Sequence, residues 1–182
     1  MISIVILAAG SGSRLRPLTD ELPKGLVSLF DKPIIQYQLD IFDELKLTQI
    51  AIVTGHQAIK FDEMGLKTYF NALYKTTNMV ESLMRAREFF ENINNDLIIS
   101  YGDIVYQKNN FEKLINSDGD ISLMIDKDWK KLWSIRNENV LDDAETLRMD
   151  SDKRIYELGK KPTTLNEVEG QYTGLIKIKN TK

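Results

Sequence analysis

The run from Ile2 to Arg14 limits what this chain can fold into more than any other. Ile2 to Ala8 (ISIVILA) is rich in β-branched residues and almost continuously apolar, which predicts a strand covered on both faces. It passes directly into Ala9-Gly10-Ser11-Gly12-Ser13-Arg14. A buried strand ending in small residues belongs to an open α/β sheet, where ligands bind beyond the strand C-termini. No large side chain blocks such a loop, so its backbone N–H groups can turn toward a polyphosphate.

Two familiar phosphate loops do not fit. A Walker A loop requires Lys directly after its last glycine, and Ser13 follows Gly12. The dinucleotide fingerprint requires a third glycine at position 15, which is Leu15. The segment has no leading Lys or Arg and is cut short by glycines, so it is read as a strand and not as a secretory signal.

The following pattern alternates. A helix is expected from Pro33, with Ile35, Leu39 and Phe42 on one face. Strands are expected at 49–54, 67–73, 97–101 and 120–125, with a short helix at 58–64 and longer ones at 79–90 and 109–116. In the helix at 79–90, Val80, Leu83, Met84 and Phe90 are expected to share the buried face. The result is an α/β fold: a three-layer αβα arrangement around a mostly parallel, mixed Rossmann-like sheet. From Asp126 the chain becomes more charged. Short strands at 146–149, 154–158 and 171–178 are expected as antiparallel pieces, with a small antiparallel lid packed on the sheet within the same domain. Residues 1–182 are thus read as one domain. No returning helix follows the last strand, so that domain is expected to be incomplete at its C-terminus.

Composition removes several chemistries. There are no cysteines, which excludes disulfides, thiolate nucleophiles and Cys-bound metals. A net charge of -3 gives no global basic field, and no nucleic-acid partner is expected. No run reaches the length of a membrane span, and a cytoplasmic location is expected.

Three charged residues stand where a phosphate site would want them. Arg14 carries a planar fork of donors suited to two phosphate oxygens. Lys24 sits in Leu22-Pro23-Lys24-Gly25-Leu26, either as a point charge on a phosphate or as an ordinary solvated lysine. Asp103 follows the strand LIISY and Gly102, at the same sheet edge as the glycine loop. It is either a ligand to Mg²⁺, which takes few protein carboxylates, or a turn residue.

The combination L-A-A-G-x-G-x-R followed by P-K-x-L, here Leu7 to Arg14 and Pro23 to Leu26, resembles the sugar-nucleotidyltransferase-like family over essentially the whole chain. The resemblance implies a nucleotide site formed by Leu7, Ala8, Ala9, Gly10, Ser11, Gly12, Ser13 and Arg14, with Gly102, Asn78 and Ser82. It implies that Arg14 steadies the departing pyrophosphate and that Lys24 bridges the α-phosphate and the attacking phosphate. It also implies Mg²⁺ on Asp103.

Asn78-Met79-Val80-Glu81-Ser82-Leu83, Gly159-Lys160-Lys161 and Gly170 to Leu175 resemble the cytidylyltransferase branch of that family. This implies CTP as donor and a phosphorylated small metabolite as acceptor, in capsule or surface-polysaccharide decoration. L-glutamine phosphate is the first expectation, with Lys24, Arg136, Lys160 and Glu169 as acceptor contacts. Choline phosphate and a sugar phosphate are the alternatives. Trp129 and Trp133 either cage a quaternary ammonium or simply pack. Asn78, with Glu81 three residues on, also reads as a helix cap. His56, the only histidine, reads as a turn residue. The family's second metal carboxylate has no counterpart after Glu169. Either Glu169 substitutes, or the residue lies beyond Lys182. A non-catalytic nucleotide-binding domain is therefore a further alternative.

Overall fold

In the computed structural model, residues 1–91 and 94–180 are described; Lys182, where the incomplete C-terminus was expected, lies outside them. Ten strands and five helices follow in order: β1 (Ile2–Ala8), β2 (Ser28–Leu29), β3 (Lys32–Pro33), α1 (Ile34–Glu44), β4 (Ile50–Thr54), β5 (Lys67–Phe70), α2 (Met79–Arg85), α3 (Arg87–Phe90), β6 (Asp96–Tyr101), α4 (Lys108–Ile115), β7 (Ile121–Asp126), α5 (Trp129–Arg136), β8 (Leu147–Met149), β9 (Ile155–Leu158) and β10 (Gln171–Ile178). Short 3₁₀ turns occupy Ser13–Leu15, Lys24–Leu26, Ala58–Met64 and Leu165–Glu167.

The main sheet has six strands in the order β5-β4-β1-β6-β10-β7. β1 pairs in parallel with β4 and β6, and β4 with β5, whereas β10 runs antiparallel to β6. The expected mixed, mostly parallel sheet is therefore present. The chain steps outward from β1 to β4 and β5, then returns to lay β6 on the other side of β1. That reversal opens a crevice at the C-terminal ends of β1 and β6. Register sets Leu7 level with Tyr101 and Ala8 level with Thr54, so the loops leaving these strands emerge at one edge.

Alternation along the strands separates two faces. Val5, Ala51, Val53, Leu97 and Ile99 pack with Ala86 and Phe89 of the α2–α3 segment. Ser100 points to the other face and bonds Gln38 of α1. On α1 and α4, Phe42 and Phe111 are fully buried with ring centroids 5.2 Å apart.

Three local expectations are corrected. The strand at 67–73 ends at Phe70, because Asn71 turns the chain: its carboxamide oxygen accepts the Leu73 N–H at 3.1 Å. The helix at 79–90 is broken at Ala86, whose φ and ψ of -94° and 15° leave the α region. Its buried face carries Ser82, Ala86 and Phe89, while Val80 and Met84 are 66% and 41% exposed. Leu83 and Phe90 of the expected face do pack against the sheet's apolar cluster, whereas Val80 and Met84 turn outward and Ser82, Ala86 and Phe89 take the buried positions.

Two compact units can be distinguished: residues 1–122 with 174–182, and 123–173. Strands β7 and β10 each carry residues of both. The smaller unit holds α5 and the antiparallel β8–β9 hairpin, with an irregularity between Arg148 and Met149. Trp129, Ala144 and Val168 form its core, with Trp133, Val140 and Leu141 packed around them. The α5 helix was not foreseen. Among the described residues, no helix is long and apolar enough to cross a membrane.

Candidate functional site

A cleft of about 420 Å³ lies at the edge where β1 and β6 end. That is within the usual size range of small-ligand sites. Leu7, Ala8, Ala9, Gly10, Gly12, Ser13 and Arg14 line one side, and Lys24, Gly25, Tyr101, Gly102 and Asp103 line another. Met79 and Ser82 complete the wall.

The glycine loop is shaped by its neighbours. Gly12 has φ 62°, a conformation that glycine adopts at least cost, and a side chain there would meet Thr19 Cγ2 at 2.9 Å. The Thr19 hydroxyl donates to Gly12 O at 2.8 Å. His56 pins the same region: its backbone N–H donates to Ala9 O at 3.0 Å, and Nε2 lies 2.7 Å from Thr19 O. The only histidine is thus a structural tie, as a turn residue would be. Arg14 is exposed on the cleft and has no ion-pair partner among the described residues.

Opposite the loop, the two charged candidates meet. Lys24 Nζ lies 2.5 Å from Asp103 Oδ2, both side chains about a third exposed. Three contacts hold Asp103's segment. Gly102 donates its N–H to Leu7 O at 2.9 Å. Gly25 packs so closely on Gly102 that a Cβ would stand 2.7 Å from Gly102 O. The third contact comes from Gln38, whose side-chain nitrogen donates to Tyr101 O and Ile104 O, each at 2.8 Å.

Asp103 is a hard oxygen donor on the cleft, the donor type Mg²⁺ accepts. The described residues contain no cluster of three His, Cys, Asp or Glu, so the other positions around such an ion would fall to phosphate oxygens and water. The residues present fit Mg²⁺ on those terms.

The two base-loop candidates divide. Ser82 is buried on the cleft, and its hydroxyl accepts from Asn71 Nδ2 at 3.0 Å. Asn71, wholly buried, also bonds Thr77 Oγ1. Asn78 is exposed and caps α2: its side chain accepts the Glu81 N–H at 3.0 Å. Ser11 is half-buried in the loop.

The remaining acceptor candidates belong to the smaller unit, and each has its own partner there. Arg136 pairs with Asp143 at 3.6 Å and lies over the Trp133 ring. Lys160 Nζ is 3.9 Å from Glu157. Glu169 accepts the Met149 N–H at 3.2 Å. Trp129 is buried edge-on against Trp133, with centroids 6.1 Å apart, so packing uses the pair.

Met79, Tyr101 and Gln38 escaped the sequence reading as site residues. Gln38 carried a usable signal, a polar residue between Ile35 and Phe42 on the buried face of α1.

Comparison with known proteins gives a concordant picture. The family model "Nucleotidyl transferase" matches residues 3–125. A CTP:phosphoglutamine cytidylyltransferase of Campylobacter jejuni is 41% identical over 97% of this chain and 73% of its own length. A choline-phosphate cytidylyltransferase of Streptococcus pneumoniae is 38% identical over 48% of this chain and 40% of its own. Among solved structures, the CTP:phosphocholine cytidylyltransferase from Streptococcus pneumoniae aligns with TM-score 0.69 and 23% identity, over 98% of this chain and 71% of that one. The inositol-1-phosphate CTP transferase from T. maritima aligns with TM-score 0.72 and 18% identity, over 97% and 70%. At those identities the structures speak for the fold.

Proposed function

The chain belongs to the nucleotidyl transferase family, and on that premise we propose that it joins CMP from CTP to the phosphate of a small phosphorylated metabolite and releases pyrophosphate. L-glutamine phosphate is the acceptor we put first, giving CDP-L-glutamine. The observation that carries this choice is the 41% identity over 97% of the chain to a CTP:phosphoglutamine cytidylyltransferase.

The cleft supports the reaction type through its own residues. Loop N–H groups and Arg14 suit the β- and γ-phosphates, which leave together as pyrophosphate. Lys24, across the cleft, suits the point where acceptor phosphate and α-phosphate approach. An acceptor phosphate oxygen attacks the α-phosphorus in line as the bond to the β-phosphate oxygen breaks. The attacking group is already anionic near neutral pH, so no strong general base is needed. Positioning and charge neutralisation carry the rate. Mg²⁺, held by Asp103 with phosphate oxygens and water, would supply further neutralisation of the triphosphate charge.

Ser82 suits the edge of a pyrimidine base, since its hydroxyl lies on the cleft and can donate while Asn71 holds it from the buried side. The proposed setting is capsule or surface-polysaccharide decoration in the cytoplasm. The test is pyrophosphate release with four triphosphates against L-glutamine phosphate, choline phosphate and sugar phosphates. Turnover with CTP and L-glutamine phosphate above all other pairs is expected. CTP binding without turnover on any acceptor would favour a non-catalytic nucleotide-binding domain.

A further inference from the structure

Gln38 sits on α1, completely buried, and makes bonds on both ends of its carboxamide. Nε2 donates to Tyr101 O and to Ile104 O, each at 2.8 Å. Oε1 accepts the Ser100 hydroxyl at 2.6 Å and the Tyr106 hydroxyl at a longer 3.5 Å. The orientation is chemically fixed, because two backbone carbonyls can only accept and must face the nitrogen. Burial pushes the Tyr106 phenol above its ordinary range, so it remains a neutral donor. The ring of Tyr106 is stacked on Phe111 at 5.7 Å.

The two bonded carbonyls flank Gly102 and Asp103. The Gly102 N–H bond to Leu7 O is where the pairing with β1 ends, and beyond it Asp103 depends on what holds the turn. One side-chain amide closes this turn from both ends. We infer that Gln38 is a positioning residue for nucleotidyl transfer: by clamping Tyr101 O and Ile104 O it holds the Asp103 carboxylate opposite Lys24. This rests on the proposed transferase reading, yet its geometry stands apart from any ligand. Gln38 does not line the cleft, so its effect passes through the segment it holds.

The test uses Gln38→Met, Gln38→Glu and the control Ser100→Ala, each first checked for folding by thermal denaturation. Chemistry that depends on placement loses about 10²-fold for a displacement on the order of 1 Å, so a kcat loss of about ten-fold or more is expected for Gln38→Met. KM for CTP should stay within about two-fold, because loop and base contacts are made elsewhere in the cleft and give uniform binding. Amide hydrogen exchange should quicken at Asp103 and Ile104 but not in β1 or β4. Gln38→Glu should give an intermediate kcat, nearer wild type at lower pH, where a protonated carboxyl donates one of the two bonds. Ser100→Ala leaves both carbonyl bonds in place and should stay close to wild type.

A folded Gln38→Met with wild-type kcat and unchanged local exchange would overturn the inference. So would a fall in kcat matched by an equal rise in KM without faster local exchange. If Gln38→Met does not fold, Gln38→Glu decides by the same measures. A wild-type protein that releases no pyrophosphate with any pair would instead overturn the transferase reading, and local exchange would still judge the clamp.

Discussion

Lys24 and Asp103 hold each other at 2.5 Å across the end of the cleft, Nζ to Oδ2. They come from elements far apart in sequence, a 3₁₀ turn after Pro23 and the turn after β6. Both are partly exposed, and such pairs contribute only about 0–1 kcal/mol to stability. The reason for placing them together is better sought in function. Each is a charge that a triphosphate and its counter-ion would recruit, and without substrate each neutralises the other.

Lys24→Ala is therefore expected to lower turnover by on the order of 10²-fold or more, since it removes a charge from the place where negative charge concentrates in the transition state. Thermal stability should change little. Pyrophosphate release in a folded variant is the measurement. Near wild-type turnover would remove Lys24 from the reaction.

Asp103→Asn keeps the size of the side chain and the Gln38 clamp on the flanking carbonyls. It is expected to abolish Mg²⁺-dependent turnover while CTP binding in a chelator persists, because the loop and Arg14 are untouched. Calorimetry in chelator and a Mg²⁺ titration of activity separate the two effects. An unchanged Mg²⁺ dependence would show that Asp103 is no ligand.

Two glycines of one loop should respond in opposite ways. A Cβ at Gly10 would meet nothing within 4 Å, so Gly10→Val should leave thermal stability near wild type and fill space the nucleotide needs. Its expected signature is a rise in KM for CTP of about ten-fold or more, from lost phosphate contacts. A Cβ at Gly12 would stand 2.9 Å from Thr19 Cγ2 at φ 62°. Gly12→Ala should therefore destabilise by about 1–3 kcal/mol, visible in thermal denaturation before any kinetics. Equal stability losses at both positions would mean that the loop is merely structural.

The sheet edge that carries the cleft was legible in sequence because its signals are local. β1 and its loop are contiguous, and Gly102-Asp103 ends a strand whose apolar run is unmistakable. Pairing across the chain was not legible. Nothing near Gln38 in sequence reports that its amide meets carbonyls some 60 residues on, at Tyr101 and Ile104. The face of α2 misled for a related reason: Val80 and Met84 look like core, yet Ser82 and Ala86 are the residues that approach the sheet closely enough to be buried. Helix α5 was hidden because Lys130, Lys131 and Arg136 made its segment read as a charged lid, while its one buried anchor, Trp129, stands at the first residue.

The last expectation concerns pH and the far end of the sheet. Lys177, in β10, is 4% exposed, and its ammonium donates to Ile115 O at 2.6 Å and Ser117 O at 2.8 Å. Asp96, at the start of β6, lies 3.3 Å from it and also accepts the Asn180 N–H at 2.9 Å. Burial pushes the Asp96 carboxyl up, but the Asn180 N–H and the Lys177 ammonium together outweigh it and bring the carboxyl below its usual range. An Asp in an unfolded chain titrates at about 3.9. A lowered folded value means that the ionised form favours folding. That contribution is present in full above the unfolded value and is lost as pH falls through the folded one. Wild-type stability should therefore drop between about pH 5 and the onset of acid unfolding more steeply than that of Asp96→Asn. Lys177→Met should cost about 1–3 kcal/mol at neutral pH, because two carbonyls and a carboxylate lose their donor. It should also flatten the acid limb. Parallel acid limbs for wild type and Asp96→Asn would show that this pair does not set the pH dependence, and the carboxylates of the remaining ion pairs would have to be titrated in turn.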